Sequence, residues 1–390
     1  MKLTREKKRL LITLLAIALV QMPQQSLSPA IDKVVREFAG QGLDLATVQE
    51  AFALVNIFLP LAGVVTAFLI GRGLLSKRSA IIGGLFALGA TAVCALFLHT
   101  EFWHIRLLSA LLGVSVGSFL VNATSLMFDS YTESERETIA GFQTSFVNGG
   151  GIILSLVGGA LAATIWYGCY FVLLLGFPIA VMAIFTVPKR PSAVSASRRS
   201  TKLPGRVYYY SAVLFLFMIL FNACGMNIST HLAQAGYSNP ALAGAAVAVQ
   251  MAGGTLAGFA FGKLSGKLGD YVMTLGCGTL AVGLAIVGAF HASIEAAFIG
   301  VFLAGTAMSL LAPRTVFAVS GLTDESNSSL ASSISQSVAP SLGGFLTPLL
   351  ITRPTELISS STAPRYLITA ALTVVLGMAI ALITRMKKRG

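Results

Sequence analysis

A chain of 390 residues with 55% hydrophobic and only 11% charged side chains, and a mean hydropathy of +0.81, cannot coat a water-facing surface. This excludes an ordinary soluble domain, in which about 25% of residues are charged. The net charge of +12 invites a nucleic-acid reading, but neither clustered aromatics nor a folded basic face accompanies it.

A helix crosses a hydrocarbon core of about 30 Å with about 20 apolar residues. Runs of that length recur along the whole sequence and predict twelve spans: 10–31, 48–71, 79–98, 103–128, 139–164, 168–188, 207–230, 240–262, 271–290, 295–322, 328–352 and 365–385. The fold class expected is therefore all-α and integral to the membrane. The opening "MKLTREKKR" resembles a signal-peptide n-region, yet the apolar run behind it is of spanning length and no small-residue cleavage site ends it, so it is read as the first membrane helix. Cys94, Cys169, Cys224 and Cys277 lie in or beside apolar runs, with no CxxC and no Cys/His spacing suited to zinc, and read as small buried hydrophobes.

Between the sixth and seventh spans, "KRPSAVSASRRSTKLPGR" (189–206) is basic and rich in Ser and Pro, with no apolar period. It reads as a solvated linker. The domains predicted are residues 1–188, a six-helix half; 189–206, the linker; and 207–390, a second six-helix half. Lys and Arg gather in short cytoplasmic loops. With both termini on the cytoplasmic side of an inner membrane, 22 of the 27 basic residues fall on that side and Lys33, Arg36, Arg106, Arg353 and Arg365 on the outer one. All four histidines fall on the other, and the basic excess is topogenic.

Polar side chains in lipid are expensive and face a cavity or a partner helix. In chain order the candidates for substrate binding are Gln21, Gln24 and Gln25 in the first span, Asn122 in the fourth, Asn222 and Asn227 in the seventh, Gln250 in the eighth, Arg314 in the tenth and Gln336 in the eleventh. Positions 21, 24, 25 and 28 share one face at helical spacing, so Ser28 joins the three amides. A hydrogen bond between helices explains an isolated amide; three amides on one face ask for a wet cavity. Arg314 either snorkels or anchors a substrate carboxylate or phosphate bidentately. None of the 15 acidic residues falls in mid-membrane. Asp32, at the end of the first span, comes closest and is the candidate for proton coupling. No nucleophile elbow, HExxH or P-loop occurs, so no enzyme and no cofactor is expected.

The segments 67–89 and 260–283 align at an offset of about half the chain, each a helix, a short glycine-bearing basic loop and a helix. In "GKLSGKLGDY", Gly262 and Gly269 fit the loop G-x-L-x-D-R-x-G-R-[RK] that joins the second and third helices of the major facilitator superfamily, with Gly266 where the acid would stand. "LIGRGLLSKR" keeps its basic end, Lys77 and Arg78. "SALLGVSVG" keeps Gly113 and Gly117 of the fourth-helix pattern R-x-x-x-G-x-x-x-G, with Ser109 in the arginine place. "GIILSLVGG" keeps Gly151, Gly158 and Gly159 of the fifth-helix signature G-x-x-x-G-P-x-x-G-G, with Ser155 in the proline place. The chain thus resembles that superfamily over essentially its whole length, and within it the drug:proton antiporter branch.

The resemblance implies two pseudo-symmetric six-helix halves and transport by alternating access, with the polar residues of the first, fourth, seventh and tenth helices converging. Glycines four residues apart give smooth stripes on which neighbouring helices pack and slide, so these seven glycines are candidate conformational residues. The expected function is secondary active transport of a small organic molecule, proton-coupled and efflux-like. Two alternatives remain: an organic-anion uptake or exchange carrier with Arg314 as anchor, and a non-transporting membrane receptor or assembly partner. The expected partners are the substrate, the lipid bilayer and protons, with no nucleic acid, and the expected state is a monomer.

Overall fold

The computed structural model describes residues 4–189, 203–323 and 330–389. Among them the regular structure is helical throughout. The elements are α1 (Arg5–Leu19), α2 (Ile31–Glu37), α3 (Leu45–Gly71), α4 (Lys77–Ala95), α5 (Phe102–Ser130), α6 (Glu133–Thr164), a 3-10 stretch (Trp166–Leu175) leading into α7 (Gly176–Thr186), α8 (Gly205–Gln234), α9 (Pro240–Leu268), α10 (Tyr271–Ala289), α11 (Ile294–Ser320), α12 (Leu330–Glu356) and α13 (Thr362–Arg389). Eleven helical segments among the described residues are long and apolar enough to cross a membrane, and a bent pair at the start of the chain makes a twelfth. The protein is a multi-pass membrane protein. Large apolar side chains such as Val64, Phe185, Phe259 and Met386 stand exposed on it, where lipid tails solvate them.

The ends of the spans follow local signals. Ser76 caps α4 by accepting from the Ser79 N–H, Asn239 caps α9 with Pro240 in its first turn, and Ser293 caps α11. Gly269 closes α9 at φ +58, a left-handed conformation that glycine adopts without steric cost.

Two spans depart from a plain helix. The first is expected to run unbroken over 10–31. Instead α1 ends at Leu19, Pro23–Ser26 and Ser28–Ala30 form 3-10 turns, and α2 resumes at Ile31 with a bend of 41°. Pro23 and Pro29 supply the reason, since each lacks an N–H and cannot continue the hydrogen-bond ladder. The shared α-helical face expected for Gln21, Gln24, Gln25 and Ser28 is therefore not formed. The second is α12, which carries π-helical stretches at Ser333–Val338 and Pro348–Thr352. Such local expansions arise where an intrahelical bond is lost or shifted.

The chain forms two compact units. One comprises residues 1–30 and 51–196; the other comprises 31–50 and 197–390. Most of the expected linker, 190–202, lies outside the described residues. The expected boundary differs in one respect: residues 31–50, assigned from sequence to the first half, group with the second. Polar contacts explain why: the Gln49 side chain and the Asp32 backbone N–H donate to α8, and Glu50 lies 3.7 Å from Arg353.

Within the first unit glycines set the closest approaches. A Cβ at Gly113 would lie 2.8 Å from the Val55 carbonyl oxygen, and one at Gly117 would collide with the Leu59 carbonyl, so α5 and α3 touch backbone to backbone. Gly150 and Gly158 let α6 lie against Leu19 and Ser26 of the broken first span. In the second unit Gly305 of α11 meets the Gln250 carbonyl of α9, and Gly343 of α12 meets the Phe215 carbonyl of α8. Small residues of this kind replace the hydrophobic drive that lipid cannot supply.

Candidate functional site

The break in the first span places unsatisfied amides beside a close helix contact. Gln21 follows the end of α1 and is 9% exposed; its Nε2 has no protein partner, and neither has the Oε1 of Gln24. The backbone there is held by Ser26, whose hydroxyl donates to the Pro23 carbonyl at 2.8 Å, and by the Gly158 contact that any side chain would block. Gln25 is half-buried and neither polar atom of its side chain is stranded. Leaving a buried polar group unbonded costs about 1–3 kcal/mol. One donor and one acceptor, three residues apart at the break, are thus left without a protein partner.

Arg314 is already occupied. Its Nε and Nη2 donate to Asp270 Oδ1 at 3.0 and 2.7 Å, and Nη1 reaches the Ser265 hydroxyl at 3.4 Å. Tyr210 donates to the other carboxylate oxygen of Asp270 at 2.8 Å. Asp270 stands four residues after Gly266, the position where the loop pattern carries its acid. The cluster borders a cavity of about 440 Å³ that also touches Phe317, Leu322 and Thr384, at the C-terminal end of α13. As a bidentate anchor for a substrate anion, Arg314 would have to give up Asp270. If the pair is structural, Arg314→Gln and Asp270→Asn will lower thermal stability alike and the double variant will add little, with a coupling energy of about 1–3 kcal/mol. If Arg314 held a substrate instead, only Arg314→Gln would abolish transport.

A larger polar assembly belongs to the second unit and was expected at only one residue, Asn227. Arg365 is 1% exposed. Its Nη1 donates to Asn227 Oδ1 at 2.6 Å and its Nε to Thr355 Oγ1 at 2.9 Å, while Nη2 lies 3.9 Å from Glu356 Oε1. Gln49, fully buried, donates to the same Asn227 oxygen at 3.0 Å and accepts from Thr352 at 2.6 Å. Asn227 in turn donates to the Ala223 carbonyl. Sequence reading put Arg365 among the basic residues at the outer border and did not single out Gln49. Each has a partner more than 100 positions away, with no local signature beyond a polar residue in an apolar run.

Asp32 pairs with Arg36 one turn on, Oδ2 to Nε at 2.9 Å; its own side chain is 14% exposed and that of Arg36 58%. Its backbone N–H points to the Ser229 hydroxyl at 3.4 Å.

The remaining candidates do not come together with these. Asn122 donates to Thr66 at 3.3 Å and to the Ser118 carbonyl at 2.8 Å, which is a bond between α5 and α3 plus one within its own helix. Asn222 donates back to the Met218 carbonyl. The Gln250 side chain lies beside Gly225 of α8, and Gln336 is exposed on the first π-helical stretch of α12. Among the glycines, Gly113, Gly117 and Gly158 make tight helix contacts, and Gly151 and Gly159 are buried. Gly262 faces open space, and Gly269 serves the turn after α9.

Comparison with known proteins bears on the fold. A family model described as Major Facilitator Superfamily matches residues 13–273. The search of curated proteins finds no match. Among solved structures, the nucleoside transporter NupG is similar with a TM-score of 0.76 at 13% identity, covering 98% of this chain and 99% of that one. A bacterial homolog of the human lysosomal transporter Spinster, in an inward-facing and occupied conformation, gives 0.74 at 15%, with 98% of each chain covered. An auto-inhibited peptide transporter of the POT family gives 0.72 at 14%, with 97% of each covered. The helix order, the duplicated loop patterns and the family match over two thirds of the sequence agree: the chain belongs to the Major Facilitator Superfamily.

Proposed function

We propose that the protein is a secondary active transporter that moves a small, uncharged but polar organic molecule by alternating access, binding it through Gln21 and Gln24. The observation that carries this reading is the pair of partnerless amide atoms at the break in the first span. Among similar folds are proteins named for nucleoside and peptide transport, which supports a small organic solute. Hydrogen bonding rather than charge is favoured because Arg314, Arg365 and Asp32 all have ionic or hydrogen-bonded neighbours within the protein. The glycine pattern of α6 resembles that of drug:proton antiporters, which supports export.

A thermal-shift screen of the purified protein against neutral, anionic and cationic metabolites tests the substrate class. Neutral polyhydroxylated or amide-bearing compounds should stabilise it, whereas stabilisation confined to anions would favour the carrier reading instead.

Coupling to protons would run through Asp32. In its ionised form the carboxylate holds Arg36 within α2; protonation would release the guanidinium. Asp32→Asn should leave substrate exchange intact in proteoliposomes while abolishing flux driven by an imposed pH gradient. Gradient-driven flux that survives the substitution would remove Asp32 from the coupling path.

A further inference from the structure

The stretch 31–50 stands apart from the span it leads into. It groups with residues 197–390, whereas residues 51–196 group with the first unit. Both of its ends are weak points of the backbone. Before it, Ser28–Ala30 is a 3-10 turn containing Pro29. After it, α3 is made of two pieces, Leu45–Ala53 and Val55–Gly71, joined at Leu54. Pro60 then leaves the Asn56 carbonyl without its helical donor, because proline has no N–H. Interruptions of this kind concentrate bending at one place.

Between these joints the stretch is tied to the C-terminal unit by polar bonds. The Asp32 backbone N–H donates to Ser229 of α8 at 3.4 Å. The Gln49 amide donates to the Met226 carbonyl at 2.9 Å and to Asn227 Oδ1 at 3.0 Å, and it accepts from Thr352 of α12 at 2.6 Å. At the start of α3, Asp44 accepts from the Thr47 N–H at 2.7 Å, and Glu356 Oε2 accepts from the Ala46 N–H at 3.2 Å. The first N–H groups of a helix have no partner within it and favour a carboxylate; here α12 supplies one of the two. Arg353 adds the last ties, with Nη2 3.2 Å from Thr47 Oγ1 and 3.7 Å from Glu50. One end of α12 thus grips the first two turns of α3.

The grip has an alternative partner built in. Glu356 Oε1 lies 3.9 Å from Arg365 Nη2, too far for a hydrogen bond. That nitrogen is buried and has no hydrogen-bond partner. If Ala46 left, the carboxylate would have a waiting donor in the guanidinium. An element with two such arrangements, flanked by joints, has the makings of a switch.

We propose that residues 31–50 form a releasable strap, docked on α8 and α12 as described and freed by bending at Ser28–Ala30 and Leu54, with Glu356 passing from the Ala46 N–H to Arg365. Release belongs to the transport cycle, a step that rests on the transport reading above. Asp32, the proposed coupling residue, rides on the strap.

Two experiments on the full-length protein test it, both in a Cys94→Ser background, since the other three cysteines are buried. In the first, spin labels on Gln41→Cys in the strap and Ser238→Cys in the turn after α8, both exposed, report their separation by double electron–electron resonance in nanodiscs. Gln49→Leu, and separately the partly exposed pair Glu50→Ala/Arg353→Ala, should each add a second, shifted distance. Unchanged distances in both variants would overturn the proposal; if Gln49→Leu does not fold, the exposed pair decides. In the second, Thr47→Cys/Arg353→Cys is bridged by a short bismaleimide. Bridging should abolish counterflow, in proteoliposomes, of the neutral compound that stabilises the purified protein most, and reagent on either single cysteine should not. Counterflow that survives bridging would overturn release as a step of the cycle. If the unbridged protein exchanges nothing, the transport reading fails instead, and the distances still decide whether the strap releases.

Discussion

Replacing Asn227 with leucine is expected to destabilise the protein by about 3–5 kcal/mol, the cost of breaking a buried charged network by removing one partner. In a thermal melt this is a fall on the order of 10 °C. The size follows from what the Asn227 oxygen does. It accepts from Arg365 at 2.6 Å and from Gln49 at 3.0 Å, and both donors belong to residues that are essentially inaccessible. Leucine takes the acceptor from Arg365 Nη1 inside the protein, while Nε keeps Thr355, and leaves Gln49 Nε2 with the Met226 carbonyl alone. The double variant Asn227→Leu/Arg365→Met should recover much of the loss, since replacing a buried charged group by an apolar one of similar volume is often close to neutral. If Asn227→Leu melts with the wild type, the guanidinium does not depend on Asn227 and the assembly is looser than described.

The second large effect falls on transport and leaves stability alone. Gln21→Leu/Gln24→Leu removes the two polar atoms that have no protein partner. Deleting an unsatisfied buried group relieves its desolvation cost, so the variant should melt at or above the wild-type temperature. Transport should meanwhile fall by a factor of about 10², the equivalent of two hydrogen bonds of about 1.5 kcal/mol each. Opposite signs on the two readouts separate recognition from folding. A variant that loses stability and transport together would mean that the glutamines bond within the protein.

Most of the architecture was legible because its cause is local. Spans are set by about 20 apolar residues in a row, and eleven of the twelve predicted runs fall on observed helices with ends displaced by a few residues, while the first falls on the bent pair. Gly113 and Gly117 were readable as a packing stripe for the same reason: a four-residue period places both on one helix face.

What escaped reading depends on chain geometry or on distant partners. Pro23 breaks a span expected to run unbroken, which replaces the face of three amides and Ser28 by two partnerless atoms at Gln21 and Gln24. Arg314 looked unpaired in its apolar run because Asp270 is 44 positions away. Arg365 looked like an interfacial cation because only the fold brings Asn227 to it, 138 positions away.

The central claim is recognition of an uncharged polar solute by hydrogen bonds at the break in the first span. Counterflow in proteoliposomes tests it most directly, using the compound that stabilises the purified protein most. The account predicts saturable exchange of a neutral, hydrogen-bonding compound by the wild type and its loss in Gln21→Leu/Gln24→Leu. Exchange that requires an anionic compound, or that proceeds unchanged in the double variant, would contradict it.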